Sequence, residues 1–287
     1  MIFDTNEQNL NNQANKPYSA YRSIEKALEV LGLFTKFPVL TVTEVSKRTG
    51  YPKSTISGLL NTLCKYNILE KLETNGFRLG IKTFELGFRY LNGLEMYSVA
   101  RLWAERLSKE EQEAVHVAIR RGTEVYIIID VQPPSAYMAI LQTGMNIPAH
   151  STALGKVLLA YLPDKELDAF LRLPLQRLTE HTIIAPEKLR DELSNIRKTG
   201  FAIDNEESIN GLMCISTPIF YKDGEVIAAI SISSMELIGK KERIQSLIQK
   251  LKLISNNISM DIGYHPVTQK DAKSDVQTRT NYIRNNV

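Results

Sequence analysis

Apolar residues recur at helical spacing early in the chain and alternate through much of its later part, a change of period that separates two differently built regions. Ile24, Ala27, Leu28, Leu31 and Phe34, with Leu33 widening the stripe, predict an amphipathic helix from about Ser19 to Phe37, ended by Pro38. Val42 and Val45 give a second, short helix its buried side. Ile56, Leu59, Leu60 and Leu63 fall at i, i+3, i+4 and i+7 and predict a third.

The ends of these helices are also written in the chain. Thr41-Val42-Thr43-Glu44 has the form of a capping box, in which the threonine hydroxyl takes the amide of Glu44 and the glutamate reaches back to the amide of Thr41. Gly50 suits the left-handed residue that closes a helix, and Pro52 suits the first position of the next. Two short strands follow, Glu70–Glu73 and Phe77–Leu79, around Asn75-Gly76, a strong hairpin signal. The set reads as a winged helix-turn-helix. Lys53, Ser54, Thr55, Ser57, Asn61 and Lys65 face away from the third helix's apolar stripe, and such side chains suit phosphates and base edges in a major groove. Arg78, on the hairpin's second strand, is a further candidate DNA contact. A small helical subdomain with a merely solvated polar face would show the same spacing.

Next come a connecting helix, Ile81–Leu94, loosened by Gly87 and Gly93, and a helix over Met96–Lys109 presenting Val99, Leu102, Trp103, Arg106 and Leu107. Strands are predicted at Ala114–Arg120 and Glu124–Val131, around Arg121-Gly122-Thr123, and at Ala136–Leu141. Helices return at Thr152–Tyr161, Asp164–Leu171 and Pro186–Lys198. Strands then occupy Phe201–Asp204, Leu212–Tyr221 and Glu225–Ser233, the last two joined by Lys222-Asp223-Gly224, before a final helix over Lys240–Ile262. Helices mixed with antiparallel hairpins in this order define an α+β protein.

Composition and charge narrow this picture. The 287 residues allow two domains, and 43% hydrophobic with 23% charged residues is ordinary for a globular chain. The net charge is only +3, yet residues 22–65 hold seven Lys or Arg against three Glu, so the basic surplus lies over the helix-turn-helix, as a phosphate partner requires. No apolar run approaches the ~20 residues of a membrane helix, and the N-terminus lacks the regions of a signal peptide, so a cytoplasmic protein is expected. Cys64 and Cys214 belong to no CxxC or Cys/His cluster, and neither a disulfide, a metal nor a cofactor is expected.

Three segments hold polar residues where burial is expected. In His150-Ser151-Thr152-Ala153-Leu154-Gly155-Lys156 small residues open a helix whose free amides could hold an anion; ordinary capping by Ser151 would account for the same residues. Asp204-Asn205-Glu206-Glu207 is either a carboxylate cluster for acid/base or metal work or a solvated loop. Alternation in Glu225–Ser233 places Val226, Ala228, Ile230 and Ile232 on one face and Ile227, Ala229, Ser231 and Ser233 on the other. Cys214 on the neighbouring strand could complete a patch with the two serines, unless these simply face solvent.

With these residues assembled, the chain resembles the IclR family of bacterial transcriptional regulators over about residues 20–264. GYPKSTISGLLNTL resembles the family's winged-helix pattern, IPAHSTALGKVLLAY its pocket helix, and GFAIDNEES with GLMCISTPIF and AAISIS its later signature. The resemblance implies a GAF-like antiparallel-sheet effector-binding domain, dimers through the DNA-binding domains, and often tetramers. It also implies a small organic, sugar or aromatic acid as effector, with the amides of Ala153 and Leu154 near its carboxylate and Asp204, Cys214, Ser231 and Ser233 as polar lining. Members commonly carry a basic residue where this chain has Gly58. The organisation expected is a winged helix-turn-helix domain (19–80), a linker helix (81–97) and an effector-binding domain (98–264), between a mobile N-terminal arm (1–18) rich in Asn and Gln and a polar, disordered tail (265–287), both read from composition.

The function expected is therefore a non-enzymatic DNA-binding regulator, a homodimer or homotetramer on double-stranded operator DNA, whose operator affinity a small carboxylate or sugar acid modulates. A ligand-independent DNA- or protein-docking module is the alternative. An enzyme using Asp204 and Cys214 with His150, Glu206 and Glu207 is another, although no nucleophile, base and orienting group stand in a recognisable motif.

Overall fold

The computed structural model describes residues 21–134 and 141–265. The expected arm at 1–18, all but the last residue of the strand expected at Ala136–Leu141, and the tail from 266 lie outside the described residues. Contacts divide the chain into two compact units that meet between Tyr90 and Leu91.

The N-terminal unit holds α1 (Arg22–Leu33), α2 (Val42–Thr49), α3 (Lys53–Lys65), β1 (Leu69–Lys71) and β2 (Phe77–Leu79), followed by α4 (Ile81–Asn92), which crosses the division. Both halves of the capping box form: Thr41 Oγ1 accepts the Glu44 amide and Glu44 Oε2 accepts the Thr41 amide. Gly50 closes α2 at φ 74°, a conformation a side chain would strain. Pro52 caps α3 rather than opening it, and Lys53 is the first helical residue. The unit's core is Val30, Phe34, Leu40, Val45, Ile56, Leu60, Leu69 and Phe77. The stripe expected on α1 is thus only partly right: Ile24 and Leu28 are exposed, because Val30 and Phe34 lead the face turned toward α2 and α3.

The hairpin is wider than its Asn-Gly turn suggested. Leu69, Glu70 and Lys71 pair with Leu79, Arg78 and Phe77, so the strand stops short of Glu73 and Leu72–Gly76 form the loop. Within it the Asn75 amide donates to the Leu72 carbonyl, with Asn75 at φ 60°. Leu40 adds a bridge to Phe77, giving the wing a third short edge.

In the C-terminal unit, α5 (Met96–Glu111) leads into an antiparallel sheet of order β5-β4-β3-β8-β7-β6, made from β3 (Ala114–Arg121), β4 (Glu124–Val131), β5 (Asn146–Pro148), β6 (Ala202–Asn205), β7 (Met213–Phe220) and β8 (Val226–Ser234). Its helices are α6 (Ala153–Ala160), α7 (Asp164–Leu171), α8 (Pro186–Thr199) and α9 (Lys241–Asp261). Both sheet faces are buried. One carries Val115, Val117, Ile215, Ile230 and Ile232 against α5 and α9; the other carries Ala118, Ile127, Cys214 and Ala229 against α6 and α8.

Several sequence expectations change here. β5 carries no strand signal in the sequence, since three residues ending in proline show no alternation. On α5 the buried side is Met96, Ala100, Ala104 and Leu107, with Leu102 exposed, because small residues let the helix lie close to β3. A register shift between Ile219 and Phe220 reverses the start of β8: Val226 packs with the α6 side and Ile227 with the α9 side, opposite to simple alternation.

Candidate functional site

The helix-turn-helix presents its polar face to solvent. Lys53, Ser54 and Asn61 are exposed and Thr55 and Ser57 half-buried along α3, with Gly58 exposed among them. Arg78 is not a free cation: its Nε and Nη2 donate to Glu70 at 3.1 and 3.0 Å across the hairpin, a bidentate pair facing solvent. Arg48 stacks on Phe37, 3.7 Å from the ring centroid. Lys47, exposed in the last turn of α2, is a further cation on this unit.

In the C-terminal unit Ala153, Leu154, Asp204, Cys214, Ser231 and Ser233 all line one cavity between α6 and the sheet. Thr152 and Ser208 add hydroxyls, and Ile127, Leu141 and Ile147 supply apolar wall. Its free volume is ≈ 10 Å³, room for about one water. A cleft of ≈ 880 Å³ opens beside it and shares Ser233 and Leu141.

The α6 N-terminus is built for an acceptor. Thr152, not Ser151, is the cap: its Oγ1 takes the Gly155 amide at 2.9 Å, whereas Ser151 Oγ donates to the Pro148 carbonyl. Among the described residues nothing accepts from the Ala153 and Leu154 amides, which remain the open donors of the helix end. On the opposite wall Ser231 Oγ is buried with no hydrogen-bond partner.

Asp204 is committed within the protein. Its Oδ1 accepts the amides of Glu207 and Ser208 and its Oδ2 the Ser208 hydroxyl, at 2.7, 3.3 and 2.5 Å. Burial raises its pKa despite these donors. The loop it organises places Glu206 at φ 63° and is clasped by Thr179 and Thr182, whose hydroxyls donate to the Glu206 and Glu207 carbonyls at 2.6 and 2.7 Å. His150 bonds the Gln176 carbonyl, and Glu206 accepts from the Gly211 amide, so the carboxylates and histidine considered for acid/base work hold loops together.

Two buried groups have a role that the sequence does not assign. Lys156, 1% exposed, points from α6 to Glu207 Oε1 at 2.5 Å, the Ile203 carbonyl at 2.6 Å and Glu192 Oε1 at 3.2 Å. Burial raises the Glu207 pKa, with Lys156 opposing it. The signal was present: every residue of α6 is buried, so a lone lysine there needs an internal counter-ion. His116, also buried, stands opposite Ser231 in the β3–β8 ladder. Its Nδ1 is 3.3 Å from Ser233 Oγ and its Nε2 3.4 Å from Asp130 Oδ1, the latter too poorly aligned for a full hydrogen bond. Burial pulls the Asp130 pKa up, but His116 and Gln132 outweigh it and hold the carboxyl below its usual range. Among the described residues no group of three or more His, Cys, Asp or Glu could hold a metal ion, and no helix is long and apolar enough to cross a membrane.

A winged helix-turn-helix on the same chain as a GAF-like α+β unit defines a DNA-binding transcriptional regulator. Residues 23–73 match the IclR helix-turn-helix domain and residues 88–260 the C-terminal domain of bacterial IclR transcriptional regulators; the chain belongs to the IclR family. Over 246 residues it is 31% identical to the HTH-type transcriptional regulator XynR of Escherichia coli, covering 85% of this chain and 98% of that one. The HTH-type transcriptional regulator KdgR of Escherichia coli is 32% identical over 248 residues, 85% and 94% of the two chains. Among solved structures, the Thermotoga maritima IclR aligns at a TM-score of 0.70 with 30% identity, covering 85% of this chain and all of the other. A putative transcriptional regulator from Rhodococcus aligns at 0.75 with 32% identity, covering 85% and 98%.

Proposed function

We propose that the protein is a cytoplasmic regulator whose affinity for operator DNA changes when a small organic or sugar acid enters the cavity between α6 and the sheet. One observation carries this reading: two uncapped helix amides, at Ala153 and Leu154, and the unpartnered Ser231 hydroxyl line the same buried space. A helix N-terminus favours an anion, and the buried carboxyl of Asp204 is engaged by its own loop, so the acid group belongs at α6 and the ligand's remaining polar atoms at the serines. Because the cavity has room for about one water, a ligand of several atoms favours a form in which α6 and the sheet leave more space, and that is the conformation it selects. A thermal-shift panel of hydroxy, keto, sugar and aromatic acids tests this. A ligand at 100 times its Kd should stabilise the fold by about 2.7 kcal/mol. If no acid raises the melting temperature, the reading fails.

On DNA, Lys53, Ser54, Thr55, Ser57 and Asn61 are proposed to meet the duplex through α3, with Arg78 on the wing contacting it beside Glu70. The apolar residues left exposed at Ile24 and Leu28 of α1 and at Ile81, Phe84 and Phe88 of α4 support a second copy of the chain as their partner, so the DNA-bound form is a homodimer or a homotetramer. Two symmetric α3 helices would read half-sites about 10 bp or a multiple apart. Lys53→Ala should weaken binding to operator and random DNA alike and flatten the salt dependence by about one unit of slope, read by fluorescence anisotropy across a salt series. An unchanged slope would show that Lys53 meets no phosphate.

A further inference from the structure

We propose that His116 is a positioning residue of the effector cavity: it draws the Ser233 hydroxyl proton away from the cavity, so the site takes an acid bearing a hydroxyl in preference to the corresponding oxo acid. The inference rests on the reading that an acid binds in this cavity, and it adds which acids and why.

The geometry runs through four groups. A carboxylate offers only acceptors, so of the two neutral tautomers the one that suits Asp130 Oδ1, 3.4 Å from Nε2, carries its hydrogen on Nε2, and His116 is assigned this tautomer. Gln132 Nε2 donates to the same Oδ1 at 2.6 Å, which fixes the carboxylate behind the ring. Nδ1 is then a bare lone pair, and the group 3.3 Å away is Ser233 Oγ, whose hydrogen must turn toward it. Cys214, paired with Ser233 in the β7–β8 ladder, keeps its thiol proton because burial pushes its pKa far up, so it brings no negative charge beside Ser233. Ser233 is left facing the cavity with oxygen lone pairs and no free hydrogen.

A ligand atom meeting Ser233 must therefore donate. A ligand hydroxyl can; a carbonyl oxygen placed there would oppose two acceptors and leave both unsatisfied. Ser231, unpartnered and able to donate or accept, discriminates between the two by nothing in its own surroundings. The selectivity thus resides in the hydroxyl that His116 orients, and His116 itself touches no ligand.

Matched pairs of acids that differ only by hydroxyl or oxo make the test: lactate and pyruvate, 3-hydroxybutyrate and acetoacetate, 4-hydroxyvalerate and levulinate, titrated by calorimetry into the full chain. The three pairs step the second oxygen along the carbon chain, so the one that reaches Ser233 is found by the data. For that pair the hydroxy acid should bind roughly 5–150-fold tighter, as expected when a buried hydrogen bond is made rather than left open. His116→Leu removes the acceptor, frees the Ser233 hydroxyl to turn inward, and should bring the ratio to about one or invert it. His116→Asn can place its amide oxygen near the Nδ1 position and should retain the preference. Asp130→Asn keeps the ring but no longer dictates its tautomer, so it should lower the ratio while leaving the fold's melting temperature close to wild type. A purely structural role for His116 would weaken both members of a pair together. An equal ratio in wild type and His116→Leu, or an oxo preference in wild type, overturns the inference while leaving the acid site standing. Absence of heat and of thermal shift for every acid removes the site itself, and the inference with it.

Discussion

Replacing Lys156 by methionine is expected to destabilise the C-terminal unit by about 3–5 kcal/mol, the usual consequence of removing one partner from a buried ion pair. The lysine holds three acceptors from two directions, and only Glu192, about a third exposed, can turn to water when it is gone. Glu207 cannot. Its Oε2 already lacks a partner, and without Lys156 its Oε1 would lose one as well. The deficit should also depend on pH. Burial raises the Glu207 pKa in the folded state, so this group's contribution is fully present below its unfolded pKa and is lost as pH rises through the folded value. Losing the lysine raises that folded value further and widens the window upward. The variant should thus be least impaired near pH 5 and most impaired at pH 8. Denaturant melts followed through Trp103, the chain's single tryptophan, whose Nε1 bonds Asp261 of α9, report this unit directly. A loss under 1 kcal/mol with no pH dependence would mean that water enters and solvates Glu207.

How far the sequence discloses this protein depends on how local each device is. The capping box of α2 is legible because both halves lie within four residues, and Gly50 and the Gly122-Thr123 turn, which joins Arg121 to Glu124, are similarly self-contained. The buried side of α1 is not, since Ile24, Leu28, Val30 and Phe34 offer two apolar faces and only packing against α2 and α3 selects Val30 and Phe34. Bulges are hidden for a related reason. Ile128 is an extra residue between the pairs Val117–Ile129 and Ala118–Ile127, so two consecutive isoleucines pack on one face, and nothing in a run of three isoleucines marks where alternation breaks.

The candidate site divides the same way. Cys214, Ser231 and Ser233 could be set on one wall from strand alternation and antiparallel order alone, and the resemblance added Ala153, Leu154 and Asp204; the structure brings all six to one cavity. What holds that cavity is not local. Lys156 meets Glu207 across 51 positions and His116 meets Ser233 across 117, distances over which pattern carries no information about pairing. A lone lysine in an otherwise apolar helix announces only that a counter-ion exists.

Gly155→Ala should damage both the fold and the site, because the glycine marks the closest approach in the C-terminal unit between the turn at Ala149–Ser151 and α6. A Cβ at this position would stand 2.0 Å from the Ala149 carbonyl oxygen and 2.5 Å from its carbon, against 3.4–4 Å for ordinary contact. Every one of these atoms is backbone, so no side-chain rotation relieves the clash; α6 must withdraw from the turn or the turn from the sheet. The turn is anchored through the Ala149 amide to the Thr123 carbonyl and α6 through Lys156 to Glu207 and the Ile203 carbonyl, so the strain falls on the α6 N-terminus between the two anchors. Overpacking of this kind costs ~1–3 kcal/mol and more where backbone alone can yield. The displaced helix carries the Ala153 and Leu154 amides with it. Hydrogen bonds weaken steeply with misalignment, so an effector held by those amides should lose affinity by about tenfold or more, even in the fraction of protein that remains folded. Calorimetry on the folded variant at low temperature separates the two effects. A wild-type melting temperature together with wild-type effector affinity would show that the turn and α6 part without cost, and that the close approach at Gly155 positions nothing.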